Sequence, residues 1–213
     1  LLLERTPKDW DITTSATPEK ILALFPDSFY ENDFGTVGVK VPRFTQKKKS
    51  EEDAETALET PASSEEVDII EVTTYRTESG YEDKRRPTTI TFTTSLSEDL
   101  ARRDFTINAI AYGKDGHGDW TVQDPFSGQT DLKQKVIRTV GQPEERFTED
   151  ALRLMRAVRF LSELRQPDEK KESHNWHIEG ETFQAIKKLA PNLAHISQER
   201  IRDELEKIVL SKS

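Results

Sequence analysis

The sequence predicts an α+β fold, in which a region with a mixed or antiparallel sheet and flanking helices, residues 1–143, precedes an all-α region, residues 144–213. Runs rich in β-branched residues at 35–41 and 67–76 are typical of strands. From Thr148 onward, apolar residues recur at helical spacing instead. This change of pattern predicts a domain boundary near residue 143, and the chain is long enough for both regions to bury a core.

The first helix is predicted to begin after Thr17, which is followed by a proline and an acid, a sequence typical of a helix N-terminus. Pro26 is expected to end this helix, because proline cannot continue the helical hydrogen-bonding pattern. The apolar residues Ile21, Leu24 and Phe25 would share one face of the helix.

Residues 45–68 are polar and charged, with almost no large apolar side chains, so they bury too little surface to offset their ordering entropy. We expect a disordered acidic insertion that joins two adjacent strands. Residues 51–68 hold eight acidic and no basic residues, and they therefore account for most of the formal net charge of −9. The rest of the chain is nearly neutral, so basic patches for a nucleic-acid partner are compatible with the acidic average.

The remaining elements follow from local patterns of the same kind. The sequence predicts a strand over 88–94, a helix from 97 through 108, a turn over 113–118, and helices over 149–165, 179–189 and 197–210. The last helix carries its apolar residues Ile201, Leu205, Ile208 and Val209 at helical spacing. We assign Trp120 and Trp176 to the core.

The composition excludes several classes of protein. Because the chain has no cysteine, it has no disulfide and no thiolate metal site, and any metal must bind oxygen or histidine. No apolar run approaches the roughly 20 residues that a membrane-spanning helix needs. We therefore expect a cytoplasmic protein with no membrane segment, whose oligomeric state the sequence does not determine.

Three acids form the first candidate site. Asp9 and Asp11 stand two residues apart, and on a strand both carboxylates would share a face. Adjacent carboxylates repel each other unless a proton or a cation such as Mg²⁺ lies between them. Taken alone, the pattern also fits two solvated acids at an edge or a turn. Glu71, in a predicted central strand, either faces solvent or adds a third oxygen ligand.

The second candidate site is the segment Arg102–Ala109, with the sequence RRDFTINA. Arginines such as Arg102 and Arg103 bind phosphate through paired hydrogen bonds, whereas Asp104 and Asn108 suit ribose hydroxyls or the edge of a base. A salt-bridged helix face is the alternative interpretation of such a charge cluster.

These segments carry a family resemblance. Arg5–Ile12, Glu71–Arg76 and Arg102–Ala109 resemble, in order and spacing, successive motifs of class II tRNA nucleotidyltransferases, the family of CCA-adding enzymes and bacterial poly(A) polymerases. Asp124–Gly128 resembles the next motif, and Glu149–Arg156 is similar to the E-D-x-x-R-x-x-R neck helix. The resemblance implies a nucleotidyltransferase head followed by the start of a helical neck, and addition of CTP and ATP to the 3′ end of tRNA.

The resemblance also implies roles for individual residues. Asp9 and Asp11 would bind catalytic Mg²⁺ ions, with Glu71 as the nearby third acid. Contacts to the incoming nucleotide would come from Arg102, Arg103, Asp104 and Asn108 on one surface. Selection of the base would come from three neck residues, Asp150, Arg153 and Arg156. On one helix, Asp150 and Arg153 would project together, although an ordinary intrahelical ion pair has the same spacing.

One departure from the family and one further resemblance to it bear on activity. Members carry a G-G-x-V-R-D segment before the first motif, whereas this chain opens at Leu1, so we expect weak nucleotide binding and no activity from the chain alone. Tyr75–Pro87 resembles the family's flexible loop, which favours an enzyme able to add the terminal A. The alternatives are a bacterial poly(A) polymerase or A-adding enzyme of the same family, and an inactive RNA-binding fragment.

Overall fold

The structure, a computed structural model, describes residues 2–3, 10–32, 34–42, 67–82, 86–165 and 175–211. The chain divides into two compact units, Pro7–Tyr75 and Arg76–Ser213, the latter together with Leu1–Thr6. The predicted boundary near residue 143 separates a head from a neck. It differs from the division into compact units at residue 75, and it stays a prediction.

In the described part of Pro7–Tyr75, four strands form one sheet and one helix accompanies it. Its elements are β1 (Ile12–Thr14), α1 (Pro18–Leu24), β2 (Ser28–Tyr30), β3 (Thr36–Pro42) and β4 (Val67–Thr74). The strands lie in the order β1-β4-β3-β2. Because β1 is parallel to β4 while the other pairs are antiparallel, the predicted mixed sheet is confirmed.

The core of this unit lies between α1 and the sheet. Ile21 is buried against Val37, Val39 and Val72 of the strands. The other residues of the predicted apolar face do not join it, since Leu24 is 71% exposed and Phe25 is also exposed. The helix has only seven residues. Of the three residues of the predicted apolar face, Ile21 is the one that is buried.

Strands β3 and β4 pair in antiparallel register from Thr36 opposite Thr73 to Pro42 opposite Val67. This confirms the prediction that the two β-branched runs are adjacent strands. The end of the predicted insertion is wrong by two residues, because Val67 and Asp68 continue the ladder as part of β4. The predicted disorder of residues 45–66 lies outside the described residues.

The larger unit combines small sheets with most of the helices. Its elements are β5 (Arg76–Glu82), β6 (Arg86–Phe92), α2 (Leu96–Ala101), β7 (Ala111–Lys114), β8 (Trp120–Gln123), α3 (Gly128–Gln134), β9 (Val136–Ile137), α4 (Pro143–Glu149), α5 (Leu152–Leu164), β10 (His177–Ile178), α6 (Gly180–Leu189) and α7 (Gln198–Leu210). Within the described ranges of this unit, 3-10 helices span Thr106–Asn108 and Ala190–His195. The pairs β5–β6 and β7–β8 are antiparallel, whereas β9 and β10 are parallel.

The helix predicted from residue 97 through 108 is wrong in extent. It begins earlier, because Ser95 accepts a hydrogen bond from the backbone N–H of Glu98 at 3.3 Å and so caps α2. It also ends at Ala101, since Phe105 has an extended backbone and a completely buried side chain. The chain must turn there to bring the ring of Phe105 into the core.

The helix predicted over 149–165 is interrupted at Asp150, whose φ of −140° and ψ of 106° are not helical. The Asp150 carboxylate accepts a hydrogen bond from the backbone N–H of Leu152 at 3.0 Å, which stabilises the start of α5. The predicted helices over 179–189 and 197–210 are confirmed as α6 and α7. The short strand β10 is an exception to the all-α prediction.

The core of the larger unit contains Phe105, Phe147, Leu154 and Trp176. The assignment of Trp176 to the core is therefore confirmed, but that of Trp120 is wrong. Trp120 is 60% exposed and stacks on Tyr112, with ring centroids 5.3 Å apart. Its strand belongs to a two-stranded hairpin that turns Trp120 and Tyr112 to its exposed face.

Helix α7 buries a charge on the face where apolar residues were expected. Glu204 is only 4% exposed, whereas Leu205 and Val209 are exposed. The reason is an ion pair between Glu204 and Arg159 of α5, with Nε of Arg159 at 2.6 Å from the carboxylate. Among the described residues, the helices are too short or too polar for any of them to cross a membrane.

Candidate active site

Two of the three predicted catalytic acids lie next to each other where β1 begins beside β4. Ile12 of β1 is paired with Val72 of β4 in parallel register, and Asp11 and Glu71 each stand one residue before that pair. Neighbouring strands are roughly 4.8 Å apart, and both acids are exposed. Asp9 lies outside the described residues.

The sequence analysis placed Asp9 and Asp11 together on a strand, and the position of Asp11 differs from that expectation. Strand β1 begins at Ile12, so Asp11 immediately precedes the strand. Within the described ranges, no group of three acids or histidines is close enough to hold a metal ion. Asp11 and Glu71 nevertheless provide carboxylate oxygens, the ligands that Mg²⁺ prefers, at an accessible point of the sheet.

In the larger unit, two of the predicted nucleotide-binding residues, Asn108 and Arg156, donate hydrogen bonds to a third, Asp104. Nε of Arg156 donates to one oxygen of Asp104 at 2.6 Å, and Nδ2 of Asn108 donates to the other at 3.0 Å. The backbone N–H of Phe105 donates to that second oxygen at 2.8 Å. The structure thus joins Arg156 of α5 to a segment about 50 residues earlier in the chain.

The environment of Asp104 keeps its carboxyl group ionised. Burial is the largest effect and by itself raises the pKa. The positive charge of Arg156 and the hydrogen bonds from Asn108, Arg156 and the backbone of Phe105 together outweigh it. The pKa of Asp104 therefore lies below its ordinary value.

Arg102 and Arg103 both turn toward Asp99 of α2. Nε and Nη2 of Arg102 lie 3.0 Å and 2.7 Å from Oδ1 of Asp99, and Nη2 of Arg103 lies 3.3 Å from its Oδ2. Nη1 of Arg102 also donates to Glu78 of β5 at 3.2 Å. The predicted alternative of a salt-bridged charge cluster therefore describes the local contacts, whether or not the arginines also bind a nucleotide.

Arg153 connects α5 to the segment that contains Arg102. Its guanidinium donates to the carboxylate of Glu149 at 2.6 Å and to the backbone carbonyl of Arg102 at 3.1 Å. Asp150 has a different partner, because Nη2 and Nη1 of Arg200 in α7 donate to its two carboxylate oxygens at 2.8 Å and 3.3 Å. The expectation that Asp150 and Arg153 project from one helix is wrong, since Asp150 lies at the break between α4 and α5.

Three residues that contact the predicted site were missed by sequence reasoning. Asp99 stands three and four residues before the two arginines, and this helical spacing was a usable signal. Glu78 lies on strand β5, within a segment that was interpreted as a flexible loop. The sequence did not identify Asp150 as the partner of Arg200, because this contact spans 50 residues.

Burial also affects the arginine at the start of β5. Nε of Arg76 donates to Glu78 at 2.9 Å, so Glu78 receives hydrogen bonds from both Arg76 and Arg102. Burial, followed by the nearby charge of Arg102, lowers the pKa of Arg76 from its ordinary value. The arrangement concentrates guanidinium groups beside two carboxylates, a chemistry suited to holding an anion in a fixed orientation.

The sequence matches two family models. Residues 1–138 match the family described as Poly A polymerase head domain. Residues 175–213 match the family described as Probable RNA and SrmB- binding site of polymerase A.

Individual proteins show the same relationship. The chain is 44% identical over 210 residues to the CCA-adding enzyme of Geobacillus stearothermophilus, covering 98% of this chain and 43% of that protein. It is 42% identical over 213 residues to the CCA-adding enzyme of Listeria monocytogenes, covering 100% of this chain and 44% of that protein.

Among solved structures, the crystal structure of the Bacillus stearothermophilus CCA-adding enzyme in complex with CTP is 40% identical to this chain, with a TM-score of 0.71. The match covers 99% of this chain and 42% of that one. The chain thus spans less than half the length of the relatives it matches. Because the head-domain match covers more than half of its residues, the chain belongs to the Poly A polymerase head domain family.

Proposed function

We propose that this chain is the catalytic head, residues 1–143, and the start of the neck, residues 144–213, of a cytoplasmic nucleotidyltransferase that adds CTP and ATP to the 3′ end of tRNA. Its similarity to CCA-adding enzymes over nearly its whole length supports this assignment. The proposal concerns the whole protein to which these residues belong, because the chain is shorter than those enzymes.

The parallel pairing of β1 with β4 is the observation that carries the proposal, because it brings Asp11 beside Glu71. Asp9 and Asp11 would hold Mg²⁺, with Glu71 as the adjacent acid. When bound, the metal supplies activation of the tRNA 3′-hydroxyl and neutralisation of the pyrophosphate leaving group. Both described acids are exposed, so a triphosphate can approach them without displacing core residues.

Nucleotide binding is assigned to the segment between α2 and the following 3-10 helix. Arg102 and Arg103 would contact the phosphates and the sugar, because guanidinium groups form paired hydrogen bonds with phosphate oxygens. Asp104 and Asn108 would act on the same surface. The hydrogen bond between Asn108 and Asp104 supports treating these two residues as one unit.

Selection of the base is assigned to Asp150, Arg153 and Arg156. A carboxylate accepts hydrogen bonds from the exocyclic amines of cytosine and adenine, and a guanidinium donates to ring nitrogens or carbonyls. Asp150 already pairs with Arg200, but a carboxylate has about four acceptor sites and retains capacity for a base. Arg153 carries a guanidinium group of five N–H donors, the chemistry that a base edge with acceptors requires.

A bacterial poly(A) polymerase is the second candidate, because the two matched families are described as parts of that enzyme. The two activities differ in product. A CCA-adding enzyme uses CTP and stops after the terminal A, whereas a poly(A) polymerase continues with ATP alone.

The decisive experiment uses a protein that carries this chain together with the family's G-G-x-V-R-D segment and a C-terminal body. It is incubated with tRNA transcripts lacking CCA, labelled CTP or ATP, and Mg²⁺. We expect incorporation that stops after CCA, and a loss of at least about 100-fold in Asp11→Asn, because the metal-binding charge is removed.

Asp27→Asn is the matched control, since Asp27 is an exposed acid of the same unit with no proposed role; it should retain full activity. An unlimited A tail would instead identify a poly(A) polymerase. Binding of tRNA without any metal-dependent incorporation would contradict both proposals and favour an inactive RNA-binding protein.

A further inference from the structure

We propose that Asp99 is a positioning residue, which sets the orientation of Arg102 and Arg103 for nucleotide binding. This inference rests on the proposed function, in which both arginines contact the nucleotide. Asp99 itself is fully buried, with 0% of its side chain exposed. It therefore acts through the arginines, and it does not touch the substrate.

The carboxylate of Asp99 is surrounded by donors from three residues. Its Oδ1 accepts hydrogen bonds from Nε and Nη2 of Arg102 at 3.0 Å and 2.7 Å, and from the backbone N–H of Arg76 at 3.2 Å. Its Oδ2 accepts from Nη2 of Arg103 at 3.3 Å. These four donors match the roughly four acceptor sites of one carboxylate, so little capacity remains for any other partner.

Helix geometry explains why one acid orients both arginines. Arg102 and Arg103 follow Asp99 by three and four residues, the two spacings at which side chains meet on a helix surface. Helix α2 ends at Ala101, so both arginines lie just beyond its last turn. Without a common acceptor, their long side chains would lose this shared orientation, because each would regain rotamer entropy.

Glu78 alone cannot replace Asp99 in this arrangement. It contacts Nη1 of Arg102 at 3.2 Å, and its same oxygen also accepts from Nε of Arg76 at 2.9 Å. Of the two acids, Asp99 is the one that bonds both Arg102 and Arg103. Its bond to the backbone of Arg76 also fixes the first residue of β5 relative to α2.

The test compares steady-state kinetics of Asp99→Asn with those of the unaltered protein, in the same form and assay that test the proposed function. Asparagine preserves the shape but removes the charge that holds two guanidinium groups. We expect the KM for both CTP and ATP to rise at least about tenfold, with kcat changed by less than about threefold, since the metal site is untouched. Asp99→Glu, which restores the charge, should recover part of the loss.

Glu204→Gln is the matched control. Glu204 is a carboxylate of similar burial that pairs with Arg159 of α5 and has no proposed role in nucleotide binding. It should leave the KM for both nucleotides within about twofold. An equal rise in KM for both variants would mean that Asp99 has only a structural role, and would overturn the inference.

Arg102→Ala and Arg103→Ala separate failure of the inference from failure of the proposed function. A raised KM in these variants, but not in Asp99→Asn, would overturn only the positioning role. An unchanged KM in the arginine variants would instead contradict the nucleotide-binding role proposed for the arginines themselves.

A measurement on the unaltered protein avoids any dependence on the folding of variants. In a ¹⁵N-edited NMR spectrum near neutral pH, the Nε–H of Arg102 should exchange slowly with solvent, because it is hydrogen-bonded to a buried carboxylate. Exchange as fast as that of the exposed Arg202 would show that Asp99 does not hold Arg102, and would also overturn the inference.

Discussion

At the scale of single residues, the larger unit repeatedly pairs a buried carboxylate with arginine. Asp99 pairs with Arg102 and Arg103, Asp104 with Arg156, and Glu204 with Arg159. Burying a carboxylate is costly unless hydrogen bonds and an opposite charge compensate for the lost hydration. Each carboxylate is therefore stable in the interior only while its arginine stays within hydrogen-bonding distance. Loss of either partner leaves a charge that is poorly solvated.

Asp104→Asn should lower the free energy of unfolding by about 1–3 kcal/mol at pH 7, because the variant loses the charge-assisted bond from Arg156. Urea unfolding of variant and unaltered protein measures the difference. The exposed pair Arg202–Asp203 supplies the control, and Asp203→Asn should change stability little. A loss equal to that of Asp203→Asn would show that the Asp104–Arg156 bond does not stabilise the fold.

The stability contributed by Asp104 should also depend on pH. Its folded-state pKa is lowered from the ordinary value of 3.8, so the contribution is fully present above that value. It should decline as the pH falls through 3.8 toward the lower folded-state pKa. The difference in unfolding free energy between unaltered protein and Asp104→Asn is the quantity to follow, and a difference that grows on acidification would contradict the assignment.

At the scale of elements, the packing of α3 against the 3-10 helix Thr106–Asn108 depends on a residue without a side chain. A Cβ atom placed on Gly128 would lie only 2.1 Å from the backbone carbonyl oxygen of Thr106. The carboxylate of Asp124 accepts from the backbone N–H groups of Gly128 and Gln129 at 2.7 Å and 2.9 Å, which fixes the start of α3. The helix therefore cannot easily shift to make room.

Gly128→Ala should destabilise the protein by about 1–3 kcal/mol, because overpacking against backbone forces both elements apart. Thermal unfolding followed by circular dichroism measures the loss. Gly113→Ala is the matched control, because a Cβ atom at Gly113 would have no heavy atom within 4 Å. If both variants unfold at the same temperature as the unaltered protein, the close approach of α3 and the 3-10 helix is incorrect.

At the scale of the whole molecule, most of the net negative charge comes from one segment of the sequence. This segment does not include the proposed nucleotide-binding residues. Residues 51–66 contain seven acidic and no basic residues. Strands β3 and β4, which flank this segment, are paired up to Pro42 and Val67. A repulsive field from these acids would weaken the association of the protein with a polyanion such as tRNA, most strongly at low salt.

Deletion of residues 51–66 should therefore strengthen tRNA binding several-fold at low ionic strength, because it changes the net charge from −9 to about −2. Residues 43–50 would still join β3 to β4. Filter-binding titrations across a salt series measure the effect, which should disappear toward high salt. Replacing the seven acids by glutamine and asparagine, at constant length, is the control and should reproduce the gain; a gain from deletion alone would exclude the electrostatic explanation.

Local patterns predicted a large part of the fold. The pairing of β3 with β4 follows from two β-branched runs between which the sequence predicts no other element, and α6 and α7 follow from helical periodicity and their starting residues. The strand predicted over 88–94 corresponds to β6, but its partner β5 was missed, because the polar sequence of β5 does not show the alternation of a half-buried strand. The break at Asp150 was missed too, since helical periodicity continues across it.

The sequence by itself determined the kinds of elements, the family and the residues with suitable chemistry, because these depend on local composition and on motifs of fixed spacing. Tertiary structure alone decided which of those residues meet. Asp104 meets Arg156 and Asp150 meets Arg200 across about 50 residues, and α7 buries Glu204 where its periodicity suggested leucine or valine. Such contacts depend on the path of the whole chain, and a charge becomes tolerable in the interior only when that path supplies its partner.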